Sequence, residues 1–106
     1  MNVKLHPGAE DEFVAQVDFY ESRQPGLGER FARAIYATFE RLIENPGLGK
    51  PAGERMRQLS LQQFPHSVIY QHGQHGLFVL AIAHQKRRSG YWRNRSSDEH
   101  SGSVSA

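Results

Sequence analysis

The apolar residues in the first half of the chain recur at helical spacing. Within residues 9–22 they fall at steps of three and four, and within residues 29–44 they do so again. The two stripes consist of Phe13, Val14, Val17 and Tyr20, and of Phe31, Ile35, Phe39, Leu42 and Ile43. The turn at residues 24–28 separates them, so the pattern predicts two helices joined as an antiparallel hairpin.

In the second half of the chain, the helical period gives way to alternation. Residues 55–61 and 64–71 alternate as two strands, and the seven consecutive apolar residues 77–83 predict a strand buried on both faces. Residues 2–6 form a further short strand, whereas the Gly- and Pro-rich residues 46–54 predict a loop. The order β-α-α-β-β-β predicts an α+β fold, with the helix hairpin packed on one face of a small, twisted, mostly antiparallel sheet.

Length and composition limit the class of protein. A chain of 106 residues fits a single domain, expected over residues 1–95, and the small polar residues 96–106 predict a disordered tail. The absence of cysteine excludes disulfides, thiolate metal sites and a cysteine nucleophile. No signal peptide is visible and no segment approaches the roughly 20 apolar residues of a membrane span, so we expect a cytoplasmic protein.

The net charge of +2 conceals an uneven distribution along the chain. Residues 1–45 contain five Lys/Arg and eight Asp/Glu, whereas residues 46–95 contain eight Lys/Arg and the single acid Glu54. Such a one-sided stretch creates a positive field that attracts polyanions or acidic protein surfaces. A solvated basic face without a partner is the alternative interpretation.

Several short motifs follow one another in order along residues 1–95. They are Tyr20-Glu21, Pro25-Gly26-Leu27-Gly28, Phe31, Asn45-Pro46, Arg55-x-Arg57-x-Leu59, Phe64-Pro65-His66-x-Val68-Ile69-Tyr70, Val79-Leu80-Ala81-Ile82-Ala83-His84 and Arg87-Arg88-Ser89-Gly90-Tyr91-Trp92. No single motif is decisive, but the ordered series resembles the RelE/ParE superfamily of toxins from type II toxin–antitoxin systems, also described as plasmid stabilisation proteins. The resemblance implies the same β-α-α-β-β-β fold and a cytoplasmic toxin that a cognate antitoxin neutralises.

The resemblance leaves the target of the toxin open. ParE-like members inhibit growth by poisoning DNA gyrase, whereas RelE-like members cut messenger RNA on the ribosome. The Pro-Gly-Leu-Gly turn, the apolar strand that ends in His84, and the scarcity of lysines favour a ParE-like toxin. We therefore expect a gyrase-binding toxin, with a RelE-like messenger RNA endonuclease as the alternative and a non-toxic, basic nucleic-acid-binding domain as a second alternative.

Five residues are candidates for catalysis if the chain is RelE-like. Metal-free RNA cleavage needs a base for the 2′-hydroxyl, a cation for the phosphate and an acid for the leaving oxygen. The candidates are Arg55, Arg57, His66, His84 and Tyr91. The two arginines lie two residues apart on a predicted strand, hence on one face, unless one of them pairs with Glu54 or a helix carboxylate. His66 alternates with apolar residues and could be a core histidine, whereas His84 ends the buried strand.

The segment after His84 is basic and aromatic, as a nucleic-acid-binding or target-binding surface would be. The candidate binding residues are Arg55, Arg57, Lys86, Arg87, Arg88, Tyr91, Trp92, Arg93 and Arg95. Tyr91 and Trp92 could stack on an exposed base, although Trp92 is equally consistent with packing on the sheet. The arginines could instead bind an acidic antitoxin segment. We expect the arginines and the histidines to converge on one face of the sheet.

No metal or cofactor is expected. His72 and His75 are three residues apart, but they lie in a Gly-rich turn without a nearby carboxylate or cysteine to complete a coordination shell. The glycine-containing segments also fail the spacing of phosphate-binding loops and dinucleotide-binding motifs.

Overall fold

The computed structural model describes residues 2–95. The elements are β1 (Asn2–Leu5), α1 (Pro7–Arg23), α2 (Leu27–Glu44), a short 3-10 helix (Pro46–Leu48), β2 (Lys50–Gly53), β3 (Met56–Ser60), β4 (His66–Gly73) and β5 (Gly76–His84). The predicted α+β class and the order of elements are confirmed, with one addition. The predicted tail, residues 96–106, lies outside the described residues.

The addition is β2, which lies inside the stretch predicted as a loop. Its sequence, Lys-Pro-Ala-Gly, lacks the apolar alternation of a strand. It is a strand because it pairs with β3 at the edge of the sheet, where a proline is tolerated. Tertiary pairing therefore overrides the local sequence here.

The five strands form one sheet in the order β1-β5-β4-β3-β2. Within residues 2–95, β1 pairs with β5 in parallel and the other three pairs are antiparallel. The apolar strand β5 is interior, as predicted, with β1 on one side and β4 on the other. The pairing of β1 extends along β5 only as far as Val79, so the rest of that edge of β5 needs other partners.

The helix hairpin is closed by the turn that the Pro-Gly-Leu-Gly motif predicted. The Glu21 carboxylate accepts hydrogen bonds from the amides of Gly26 (2.9 Å) and Gly28 (3.0 Å), at the start of α2. Gly26 has φ of 88°, a conformation that favours glycine. A Cβ on Gly28 would lie 2.6 Å from the Val17 carbonyl oxygen, so glycine permits the close approach of the two helices.

Two apolar clusters form on the two faces of the sheet. The larger packs the helices against one face, and its buried residues are Ala9, Phe31, Ile35, Phe39, Leu42, Leu61, Val68, Tyr70, Leu77, Val79 and Ile82. The smaller consists of Met56, Ile69, Leu80, Ala81, Ala83 and Trp92. A β-bulge opposite Ile69 and Tyr70 places the consecutive Leu80 and Ala81 in the same cluster. Trp92, which follows β5 in the chain, covers the second face. Within residues 2–95, no helix is long and apolar enough to cross a membrane.

Candidate functional site

The arginines near the start of β3 do not share a strand face, and that prediction is wrong. The strand begins at Met56, and Arg55 lies in the preceding turn with φ of 63°, which turns its backbone out of the strand conformation. Arg57 pairs with Tyr70 across β3 and β4, and its Nη1 donates to the Gly49 carbonyl (2.6 Å). Both residues nevertheless line one pocket. Within residues 2–95 neither forms an ion pair, so the expected alternative partner Glu54 is not used.

His66 is a core histidine, the alternative interpretation of its alternation with apolar residues. It is 2% exposed, its Nε2 lies 3.1 Å from Oε1 of Gln16 on α1, and its ring packs edge-on against Phe31. Burial, followed by the nearby His84, lowers the pKa of His66 from 6.5 to about 4. The imidazole is therefore neutral at physiological pH.

His84 lies opposite His66 in the pairing of β4 and β5, and their ring centroids are 4.9 Å apart. It is half-buried, and its Nδ1 accepts a hydrogen bond from the Lys86 amide (2.9 Å). This bond turns the chain at the end of β5 and leads it into the basic segment. His84 thus links the core to that segment.

A residue that the sequence analysis did not single out organises the other end of the site. Glu12 of α1 is mostly buried, with 14% of its side chain exposed. One carboxylate oxygen accepts from the Ile82 amide (2.9 Å), and the other from the Tyr91 hydroxyl (2.9 Å) and Arg95 Nη1 (3.0 Å). Arg87 Nη1 lies 3.9 Å from the second oxygen. We call Glu12, Arg87, Tyr91 and Arg95 the Glu12 cluster.

The Glu12 cluster occupies the edge of β5 that β1 leaves uncovered. Glu12 satisfies the Ile82 amide, and Arg95 Nη1 donates to the Leu80 carbonyl (3.1 Å). Two side chains thus replace the backbone partners that a longer β1 would supply. Gly8 is part of this arrangement, because a Cβ there would lie 2.5 Å from the Arg95 guanidinium carbon.

The two aromatic residues of the basic segment have structural contacts. Arg87 lies over the Tyr91 ring with its guanidinium carbon 3.8 Å from the ring centroid, and Arg95 lies 5.2 Å away. Burial and the Glu12 carboxylate raise the pKa of Tyr91, so its hydroxyl stays protonated. Trp92 is 6% exposed within the second apolar cluster, which is the packing alternative considered for it.

Other cations of the basic segment point to solvent. Lys86, Arg87, Arg88 and Arg93 are exposed, and we call these four residues the C-terminal basic surface. Arg87 belongs both to this surface and to the Glu12 cluster. Within residues 2–95, no group of three or more His, Cys, Asp or Glu is placed to hold a metal ion.

The predicted convergence of all these residues on one sheet face is wrong. Arg57 and His66 lie on the helix side of the sheet with Tyr70, whereas Trp92 belongs to the cluster on the other side. What joins the histidines to the basic segment is α1, since Gln16 contacts His66 and Glu12, one turn earlier, contacts Tyr91. In the sequence, Glu12 is one of several acids on the first helix. Nothing in the pattern marks it for a contact with residues 70 or more positions away.

Comparison with known proteins identifies the family. The family model of the ParE toxin of the type II toxin–antitoxin system parDE matches residues 3–89. A solved chain described as "Chromosomal ParDE TA system from P. aeruginosa" is similar in fold, with a TM-score of 0.69 and 23% sequence identity, over 79% of this chain and 95% of that chain. Comparison with curated proteins gives no match. Because the family model spans most of the chain, this protein belongs to the ParE toxin family of type II toxin–antitoxin systems.

Proposed function

We propose that this toxin inhibits growth by binding DNA gyrase and does not cut RNA. The observation that carries the proposal is the engagement, within the fold, of the candidate acid and base side chains that metal-free RNA cleavage would require. Such cleavage needs an accessible base, an accessible acid and a cation free to meet the phosphate.

Each candidate acid or base group already has a hydrogen-bond partner within the fold. His66 is buried and neutral, with Gln16 at its Nε2. The Tyr91 hydroxyl donates to Glu12, and its raised pKa opposes ionisation. His84 is partly exposed, but its Nδ1 already accepts from the Lys86 amide. A single histidine would then have to serve as both base and acid.

The C-terminal basic surface supplies a means of binding instead. Its four cations are exposed, and the chain that carries them is held in place by Trp92 and by the Glu12 cluster. Cations carried on an ordered backbone suit an acidic protein surface or a protein–DNA complex, because little backbone freedom is lost on association. We propose that this surface contacts the target.

A cognate antitoxin is the second proposed partner. Membership in the ParE family of the parDE system implies such a partner. An acidic antitoxin segment that covers the C-terminal basic surface would neutralise the toxin by competing with the target for the same cations.

The test compares two activities of the purified protein in parallel. One assay measures DNA supercoiling by gyrase, and the other measures cleavage of messenger RNA on translating ribosomes. We expect supercoiling to be inhibited and the message to remain intact. Intact supercoiling together with cut message would contradict the proposal and establish the RelE-like alternative, and harmless overexpression would favour a non-toxic basic domain.

A further inference from the structure

A pocket of about 410 Å³ lies where the segment after α2 folds over the sheet. The 3-10 helix, β2, the turn after it, β3 and β4 all contribute to its lining. Its volume falls in the range of small-molecule sites, roughly 300–1,000 Å³. Two strands, β4 and β5, separate Arg57 in this pocket from the outer edge of β5 where Glu12 binds. The pocket is therefore distinct from the Glu12 cluster.

The pocket gathers two arginines without a compensating carboxylate. Arg55 and Arg57 contribute to its lining, and none of the described residues that line it is acidic. Neither arginine forms an ion pair within the described part of the chain, residues 2–95. Guanidinium groups that share a concave site repel one another and focus a positive potential there, so an anion that enters is stabilised.

One of the two arginines is held in position by the wall of the pocket. Tyr70 donates to the Pro46 carbonyl (2.6 Å) and accepts from the Gly49 amide (3.0 Å), and Arg57 Nη1 donates to the Gly49 carbonyl. A Cβ on Gly49 would lie 2.7 Å from the Tyr70 hydroxyl, so this junction is tightly packed. A guanidinium carries five N–H donors, so the bond from Nη1 to Gly49 leaves others for a ligand.

The second arginine occupies a strained backbone position. Among residues 2–95, Arg55 is the non-glycine residue with positive φ, at 63°. A glycine or an asparagine would occupy this position with less strain. An arginine at a position that the backbone disfavours is consistent with a binding role for its side chain.

We propose that this pocket binds a phosphate group through Arg55 and Arg57. The planar forks of arginine match the oxygens of a phosphate, and both arginines line the same pocket. The phosphate comes either from a small phosphorylated ligand or from the backbone of a nucleic-acid strand. The proposal does not depend on whether gyrase is the target of the toxin.

The test is an NMR titration of the full chain with inorganic phosphate, at constant ionic strength with chloride as the counter-ion. We expect saturable shifts at Gly49, Arg57 and His72. Arg55→Gly and Arg57→Gln should each weaken the affinity roughly tenfold or more, because each removes a charge-assisted contact. Arg33→Ala is the charge-matched control, since Arg33 is an exposed helix residue paired with Glu29.

Two features of the design keep the result interpretable. Arg57→Gln removes the tether to Gly49 and could loosen the wall, whereas Arg55→Gly relieves strain and should leave the fold intact. A short oligonucleotide with and without a 5′-phosphate distinguishes the sources: preference for the phosphorylated form assigns a terminal phosphate, and equal affinity assigns the backbone. Absence of saturable shifts with any of these probes, or equal weakening by Arg33→Ala, would overturn the proposal.

Discussion

Two polar regions of this toxin use arginine in opposite ways. Along the uncovered edge of β5, Arg87 and Arg95 surround the Glu12 carboxylate, and their charges hold residues 87–95 to α1. At the start of β3, Arg55 and Arg57 line a pocket, and none of the described residues that line it is acidic. The first region is satisfied internally, whereas the second presents unmatched charge.

The comparison shows that a count of basic residues does not locate a binding surface. Both regions lie in the basic half of the chain, residues 46–95, and both resemble anion-binding sites in the sequence. What separates them is a single acid from the other half of the chain, Glu12. A cation that already neutralises a buried carboxylate holds the structure together, and a cation without such a partner can meet a ligand.

The largest effect is expected from removal of the acid in the first region. Glu12→Ala leaves the Ile82 amide, the Tyr91 hydroxyl and the Arg95 guanidinium without their acceptor. Loss of one partner from a largely buried ion pair costs about 3 kcal/mol. We expect urea unfolding to show that loss and the fluorescence of Trp92 to shift as the segment detaches.

Asp11 provides the matched control for this prediction. It is the neighbouring acid on α1 but is exposed, so Asp11→Ala removes the same charge without a buried contact. We expect its free energy of unfolding to change by no more than about 0.5 kcal/mol. Equal destabilisation by the two variants would contradict the role assigned to Glu12.

A smaller effect is expected from pH, through His66. Its pKa is about 4 in the folded chain and near 6.5 when unfolded, so the unfolded chain binds the proton first as the pH falls. His66 therefore contributes full stability above pH 6.5, and this contribution declines toward pH 4, by about 2 kcal/mol at pH 5. Urea unfolding at pH 7 and pH 5 measures it, and His66→Phe should show a pH dependence weaker by that amount.

The smallest effect is expected at the pocket, from relief of the backbone strain at Arg55. Arg55→Gly should raise the free energy of unfolding by about 0.5–1 kcal/mol, because glycine accepts positive φ without strain. Arg33→Gly is the control of opposite sign, since Arg33 lies within α2, where glycine costs about 1 kcal/mol. Thermal unfolding of both variants gives the comparison, and destabilisation by Arg55→Gly would show that its side chain supports the fold.

Most of the fold could be predicted because it follows from local periodicity. The helical stripes and the apolar run of β5 set the elements, and the Pro-Gly-Leu-Gly turn sets the hairpin. The strand β2 could not be predicted, since Lys-Pro-Ala-Gly becomes a strand only through its pairing with β3. The bulge that places Leu80 and Ala81 on one face is likewise a property of the paired strands.

The site was less predictable because its contacts span the whole chain. Residues of suitable type, such as Tyr91 and Arg95, were visible in the sequence, but their acceptor Glu12 lies about 80 positions earlier. The alternating pattern around His66 is compatible with both a core and a functional role. The burial of its side chain in the structure shows that it is a core residue. Alternation alone places Arg55 on a strand, because a positive φ leaves no trace in that pattern.

The central claim is that the toxin acts by binding through the C-terminal basic surface. It is tested most directly by gyrase supercoiling assays on two variants, Arg88→Ala/Arg93→Ala and His84→Ala. Both arginines are exposed, and they should be replaceable without loss of the fold. We predict that the double variant loses inhibition at least tenfold while His84→Ala retains it. Full inhibition by the double variant, or activity that disappears only with His84→Ala, would contradict the claim.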